Sequence, residues 1–97
     1  MGIAYTPEQF DRWFAAFWEA YPRKVGKFKA REKFGKALER VDDVNEIRVG
    51  VAGYNKQIEV TGTELKFVAY PATWLHQGRW MDEYITEIEQ QELYRSA

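Results

Sequence analysis

The sequence predicts an all-α domain: a small bundle of three main helices, an aromatic-rich short turn and a C-terminal helix. Three observations carry that expectation. Large apolar residues recur at helical rather than alternating spacing through most of the chain. Capping residues precede these runs, and Pro or Gly closes them. The 97 residues are 45% hydrophobic and 30% charged, the make-up of one globular domain with no room for a second core. A single helical domain is therefore expected over 1–97, frayed at 1–5 and 95–97.

The first helix is expected over 7–21. Thr6 is a good N-cap, Pro7 suits the first helical position, and Gln9 completes a capping box. Phe10, Trp13, Phe14, Phe17, Trp18 and Tyr21 form one apolar stripe at helical period. Pro22 disfavours helical geometry at Tyr21 and stops the helix. After a basic linker over 22–26, a second helix is expected over 27–41, with Ala30, Phe34, Ala37, Leu38 and Val41 inward. Asp42 and Asp43 end it and cap a third helix over 44–60, Glu46 reaching back to Asp43. Ile47, Val51, Tyr54 and Ile58 share one face of that helix. Gly50 and Gly53 each weaken it by about 1 kcal/mol relative to Ala, and their spacing suggests that another element comes close. A strand over 58–61 would lack a partner.

Over 65–80 the periodicity is poorer and apolar residues are dense, the pattern of a segment that wraps across a helical core. Pro71 is suited to open a short helix holding Trp74 and Leu75, and Gly78 to end it. Over 81–94 helix formers dominate, with Asp82 and Glu83 favourably placed in the first turn. The apolar side of this last segment is thin: Tyr84, Ile85 and Ile88.

Composition narrows the chemistry. With no Cys and one His, thiolate sites, cysteine catalysis and multi-histidine metal cages are all excluded. His76 near Asp82 and Glu83 is a poor metal site, because such sites want more nitrogen or sulfur donors. Neither a phosphate-binding glycine loop nor a paired-carboxylate pocket is recognisable. A non-enzymatic protein without cofactor or metal is expected. No apolar run approaches the ~20 residues of a membrane span, and no signal-peptide pattern follows Met1, so a cytoplasmic location is expected.

The net charge of −1 is unevenly placed. Between positions 22 and 40, eight Lys or Arg stand against Glu32 and Glu39, a local charge of +6. Between 81 and 97, five acids face only Arg95, a local charge of −4. Helical spacing sets Lys29, Lys33, Lys36 and Arg40 on one outward face, with Arg23, Lys24 and Lys27 arriving from the loop before it. Such a flank beside a helix N-terminus suits phosphates. Arg23, Lys24, Lys27, Lys29, Lys33 and Lys36 are the candidate nucleic-acid-binding cations. Tyr70, Trp80 and Phe28, which lie outside the regular apolar stripes, are candidates for stacking on bases. The bland alternative is a solvated lysine-rich face, balanced by the acidic last segment. Arg79 is expected to be a structural ion-pair partner of Asp82 or Glu83 rather than a phosphate ligand.

Two blocks resemble a known family. Phe17-Trp18-Glu19-Ala20-Tyr21-Pro22-Arg23-Lys24 is followed by Gly26-Lys27, Ala30 and Phe34; Tyr70-Pro71-Ala72-Thr73-Trp74-Leu75 is followed by Gly78-Arg79-Trp80 and Asp82-Glu83. The pattern is similar to a domain common in phage and prophage DNA-replication proteins of the replication-initiator or replisome-organiser type. There it commonly ends a longer protein, after a winged-helix or primosome-like domain. This chain lacks such a domain, so the expectation is an excised fragment or a small stand-alone protein. The resemblance spans 10–83 and implies a replication accessory role in the host cytoplasm, with no catalytic residue to carry over. DNA, single- or double-stranded, is the partner implied for the basic flank. The alternative is a protein-interaction module whose acidic last helix or 70–80 surface docks onto a replicative helicase, a helicase loader or another replisome protein. The two blocks are expected to meet, with Trp18 or Tyr21 against Trp74 or Leu75.

Overall fold

The structure, a computed structural model, describes residues 2–85. Helix α1 spans Pro7–Ala20, α2 Lys27–Leu38, α3 Asn45–Thr61 and α4 Pro71–His76; short 3₁₀ turns cover Leu65–Phe67 and Arg79–Met81. No strand occurs among the described residues, and the fold is all-α.

Local chemistry explains the boundaries. Thr6 Oγ1 accepts from the Gln9 amide at 3.1 Å while Gln9 Oε1 accepts from the Thr6 amide at 2.8 Å, a reciprocal capping box. Tyr21, ahead of Pro22, is extended and ends α1. Before α3, Glu46 Oε2 accepts the amides of Asp42 and Asp43 at 3.0 and 3.2 Å, and Asp43 Oδ1 accepts that of Asn45 at 2.9 Å. The residues read as a possible strand, 58–61, are the last turn of α3. Pro71 opens α4, and Gly78, at φ 65°, takes the left-handed conformation that turns the chain after it.

Trp74 lies at the centre of the core. Its ring meets those of Phe17, Tyr21, Tyr54 and Trp80 at centroid distances of 6.1, 5.8, 6.3 and 6.2 Å. The two sequence blocks therefore meet through Tyr21. Trp18 is only half-buried and packs beside Phe14 at 6.1 Å. Helix α2 lies against α4 through Ala30, Phe34, Ala37 and Leu38, all buried. Among the described residues no charged side chain is buried.

Hydrogen bonds from aromatic groups finish this interior. Tyr21 Oη donates to the Ala69 carbonyl at 2.7 Å and Tyr54 Oη accepts the Ala69 amide at 2.9 Å, so both backbone polar groups of Ala69 are bound by tyrosines. Trp74 Nε1 donates to Tyr84 Oη at 2.9 Å, which donates onward to the Arg79 carbonyl at 2.8 Å. Burial, aided by neighbouring Tyr54, pushes the Tyr21 hydroxyl far above the ordinary tyrosine range, and burial raises Tyr84 as well. Both stay protonated donors.

The two glycines of α3 answer to the close approach expected of them. A Cβ on Gly50 would lie 2.6 Å from the Cα of Trp80, and one on Gly53 would lie 3.1 Å from the ring of Tyr84. The chain after α4 thus crosses α3 over these bare positions. The expected C-terminal helix does not begin within the described residues. Residues 82–85 form no regular element, because Tyr84 is tied to Trp74 and the Ile85 amide to Gln57 Oε1 at 2.8 Å. The rest of that predicted helix lies outside the described residues.

Candidate nucleic-acid interface

The basic stretch divides by residue type. Each of its three arginines is occupied by the fold. Arg23 Nη1 donates to the carbonyls of Lys66 and Val68 at 3.2 and 2.9 Å, and its guanidinium lies 4.5 Å above the Tyr70 ring. Arg31 pairs with Asp11 at 2.6 Å and covers the Phe10 ring. Arg40 Nη1 reaches the carbonyls of Leu75 and His76 at 3.4 and 3.1 Å, at the C-terminal end of α4, and its guanidinium lies 5.1 Å over Trp80. A planar fork suits these multi-acceptor, ring-stacked positions better than an ammonium does.

The lysines remain at the surface. Lys24 Nζ donates to the Tyr21 carbonyl at 3.0 Å, and Lys27 Nζ lies 5.6 Å over the Trp18 ring. Lys29 makes an exposed i,i+3 pair with Glu32 at 3.3 Å, an arrangement of little net strength. Lys29, Lys33 and Lys36 follow one stripe of α2, Lys33 half-buried and the other two exposed. Among the described residues, Lys24, Lys27, Lys33 and Lys36 form no ion pair.

The start of α2 differs electrostatically from the starts of the other two long helices. Helices α1 and α3 carry Glu8 and Glu46 in their first turns, where a carboxylate offsets the positive end of the helix dipole. Helix α2 has no acid there, no side-chain cap, and Gly26 at φ 73° as its N-cap, with Lys27 and Lys29 in the first turn. Its orphan amides and those lysines present positive charge in the same place.

Of the stacking candidates, Trp80 is corrected. At 7% exposure, with Gly50 and Trp74 on one side and Arg40 over its ring, it has no face for a base. Tyr70 is accessible, 49% exposed with Arg23 against its ring. Phe28 is 83% exposed but shares a shallow hollow with Phe10, Arg31 and Gly35, off the lysine stripe. Among the candidate cations Arg23 reaches farthest, since its hydrogen bonds go to the backbone carbonyls of Lys66 and Val68 in a distant segment, whereas Lys24 bonds the nearby Tyr21 carbonyl. Arg79 is a structural residue, its Nε bonded to Asp82 Oδ2 at 3.1 Å and its guanidinium over Tyr54. Sequence reasoning passed over Lys66 and Phe67, grouping Phe67 with the core-wrapping aromatics. The available signal was a lysine directly beside a ring, Lys66-Phe67, in a run with no helical period.

Among the described residues there is no cluster of His, Asp and Glu able to hold a metal ion, and no helix long and apolar enough to cross a membrane. Residues 9–78 match the family model for the Legionella vir region protein LvrA C-terminal domain, and the chain belongs to that family. No curated protein and no solved structure matches it significantly.

Proposed function

We propose that this domain is a non-enzymatic nucleic-acid-binding module that lays the lysine flank of α2 on phosphates, in the DNA-replication setting suggested by the resemblance to phage proteins. The observation that carries the reading is the concentration of five lysines, Lys24, Lys27, Lys29, Lys33 and Lys36, around an uncapped helix start without an acid. Like charge at the positive end of a helix disfavours the folded end, and an anionic backbone relieves both. Lysines direct binding to phosphate oxygens rather than base edges, so little sequence preference is expected.

A salt titration against DNA tests this. With four or five lysines engaged on a duplex, log K should fall with log salt at a slope of roughly −4. Changing the exposed Lys24, Lys29 and Lys36 together to Glu should remove most of the affinity and leave the circular dichroism unchanged. Absence of salt-sensitive binding to either strand form at tens of micromolar protein would count against the reading.

A cleft of about 270 Å³ between α1 and α3 supports a second reading, as a module that docks onto a helicase, a helicase loader or another replisome protein. Trp13, Ala16, Ala20, Val44, Ile47 and Val51 give it an apolar lining. That reading expects partner binding to survive the lysine reversal and to fail on Ala16→Arg.

A further inference from the structure

The turn at Leu65–Phe67 and the residues after it form a surface that the lysine flank does not account for. Phe67 is 71% exposed and Tyr70 49%, with Leu65 also exposed between the acidic start of the turn and these rings. Each ring carries a cation: Lys66 Nζ lies 5.3 Å from the Phe67 centroid and Arg23 lies 4.5 Å from that of Tyr70. Arg23 ties the two together. Its Nη1 grips the carbonyls of Lys66 and Val68, the residues on either side of Phe67, while its guanidinium plane rests on Tyr70. Val68 is buried between them, which anchors the segment. Lys24 follows Arg23 directly and leads into the uncapped start of α2. Among the described residues, the acid of this patch is Glu64, paired with Lys66 at 3.5 Å.

We infer that Phe67 and Tyr70, backed by Lys66 and Arg23, are a stacking platform for unpaired bases, and that the nucleic acid taken by this domain is single-stranded. The inference rests on the phosphate-binding reading above and specifies its substrate. Exposed rings next to a cationic track match the chemistry of a strand whose bases offer π faces and whose backbone is anionic. A duplex keeps its base faces inside the stack, so these rings have nothing to engage there. Charge complementarity favours this occupant over an apolar protein surface, because Arg23, Lys24 and Lys66 border the rings and, among the described residues, Glu64 is the one opposing charge beside them.

The test uses the full chain with four fluorescent 20-mers: oligo-dT, oligo-rU, an abasic strand with the same phosphates, and a duplex. The platform predicts that oligo-dT or oligo-rU binds at least about tenfold tighter than the abasic strand, since each stacked base contributes a factor of several or more. Comparison of dT with rU tells which sugar is preferred. Phe67→Ala with Tyr70→Ala should erase that advantage while abasic-strand binding and the melting temperature stay unchanged, and Phe67→Trp with Tyr70→Phe should retain it. Equal, salt-sensitive affinity for base-bearing and abasic strands would overturn the platform and leave the phosphate-binding reading standing. Binding to none of the four probes would overturn both.

Discussion

The turn at Leu65–Phe67 and helix α4 follow one another in the chain, are both rich in large apolar side chains, and end in opposite surroundings. Trp74 and Leu75 of α4 are fully buried; Leu65 and Phe67 of the turn are exposed. The difference comes from what lies over each. Helix α4 is enclosed by α1, α2, α3 and the turn at Arg79–Met81, whereas the earlier turn is held at its edge by Arg23 and by inward-pointing Val68. Hydrophobicity alone does not bury a side chain. A second element must arrive to cover it, and the buried area then contributes roughly 25 cal/mol per Å².

The sharpest way to break this comparison is to truncate matching residues in the two segments. Trp74→Ala should cost about 3–5 kcal/mol, the usual loss for a large buried aromatic, and leave the domain largely unfolded. Phe67→Ala should stay within about 0.5 kcal/mol of the parent, as exposed positions do. Urea denaturation of both variants measures the contrast, and a comparable loss from each would dissolve it.

A smaller effect tests how the chain beyond α4 is seated. Gly50→Ala should gain about 1 kcal/mol of helix propensity when considered locally. Against that stands the Trp80 Cα at 2.6 Å from the added methyl, a backbone atom that cannot swing aside. Overpacking of this kind typically costs about 1–3 kcal/mol, so a net loss of stability is expected. A melting temperature above the parent's would show that the crossing at Gly50 is looser than its geometry.

The smallest expected effect separates the two kinds of cation. Arg40→Gln removes a guanidinium that bonds two carbonyls at the end of α4 and covers Trp80, and should cost about 1 kcal/mol. Lys36→Gln, four residues earlier in the last turn of α2, should leave stability within about 0.5 kcal/mol and reduce nucleic-acid affinity instead. Thermal melts beside binding isotherms for both variants show whether structure and binding divide along this line.

Much of this was readable along the chain. Helices α1 and α3 begin where Thr6-Gln9 and Asp43-Glu46 reach back on their own amides, and α4 begins at Pro71, because caps and prolines act within three or four residues. The apolar stripes of α1 and α2, the lysine stripe and the need for room at Gly50 are likewise properties of helical period and side-chain size. Local rules do not reach across thirty residues. That Tyr21 rather than Trp18 meets Trp74, that Trp80 is closed to bases, and that Arg23 and Arg40 serve carbonyls of distant segments all depend on which surfaces come together. Charge count treats an arginine and a lysine alike, and only the packed arrangement supplied the paired carbonyls and ring faces that engage Arg23 and Arg40. The same arrangement left Phe67 and Tyr70 uncovered, because each sits at the rim of a core already filled by Val68 and Trp74.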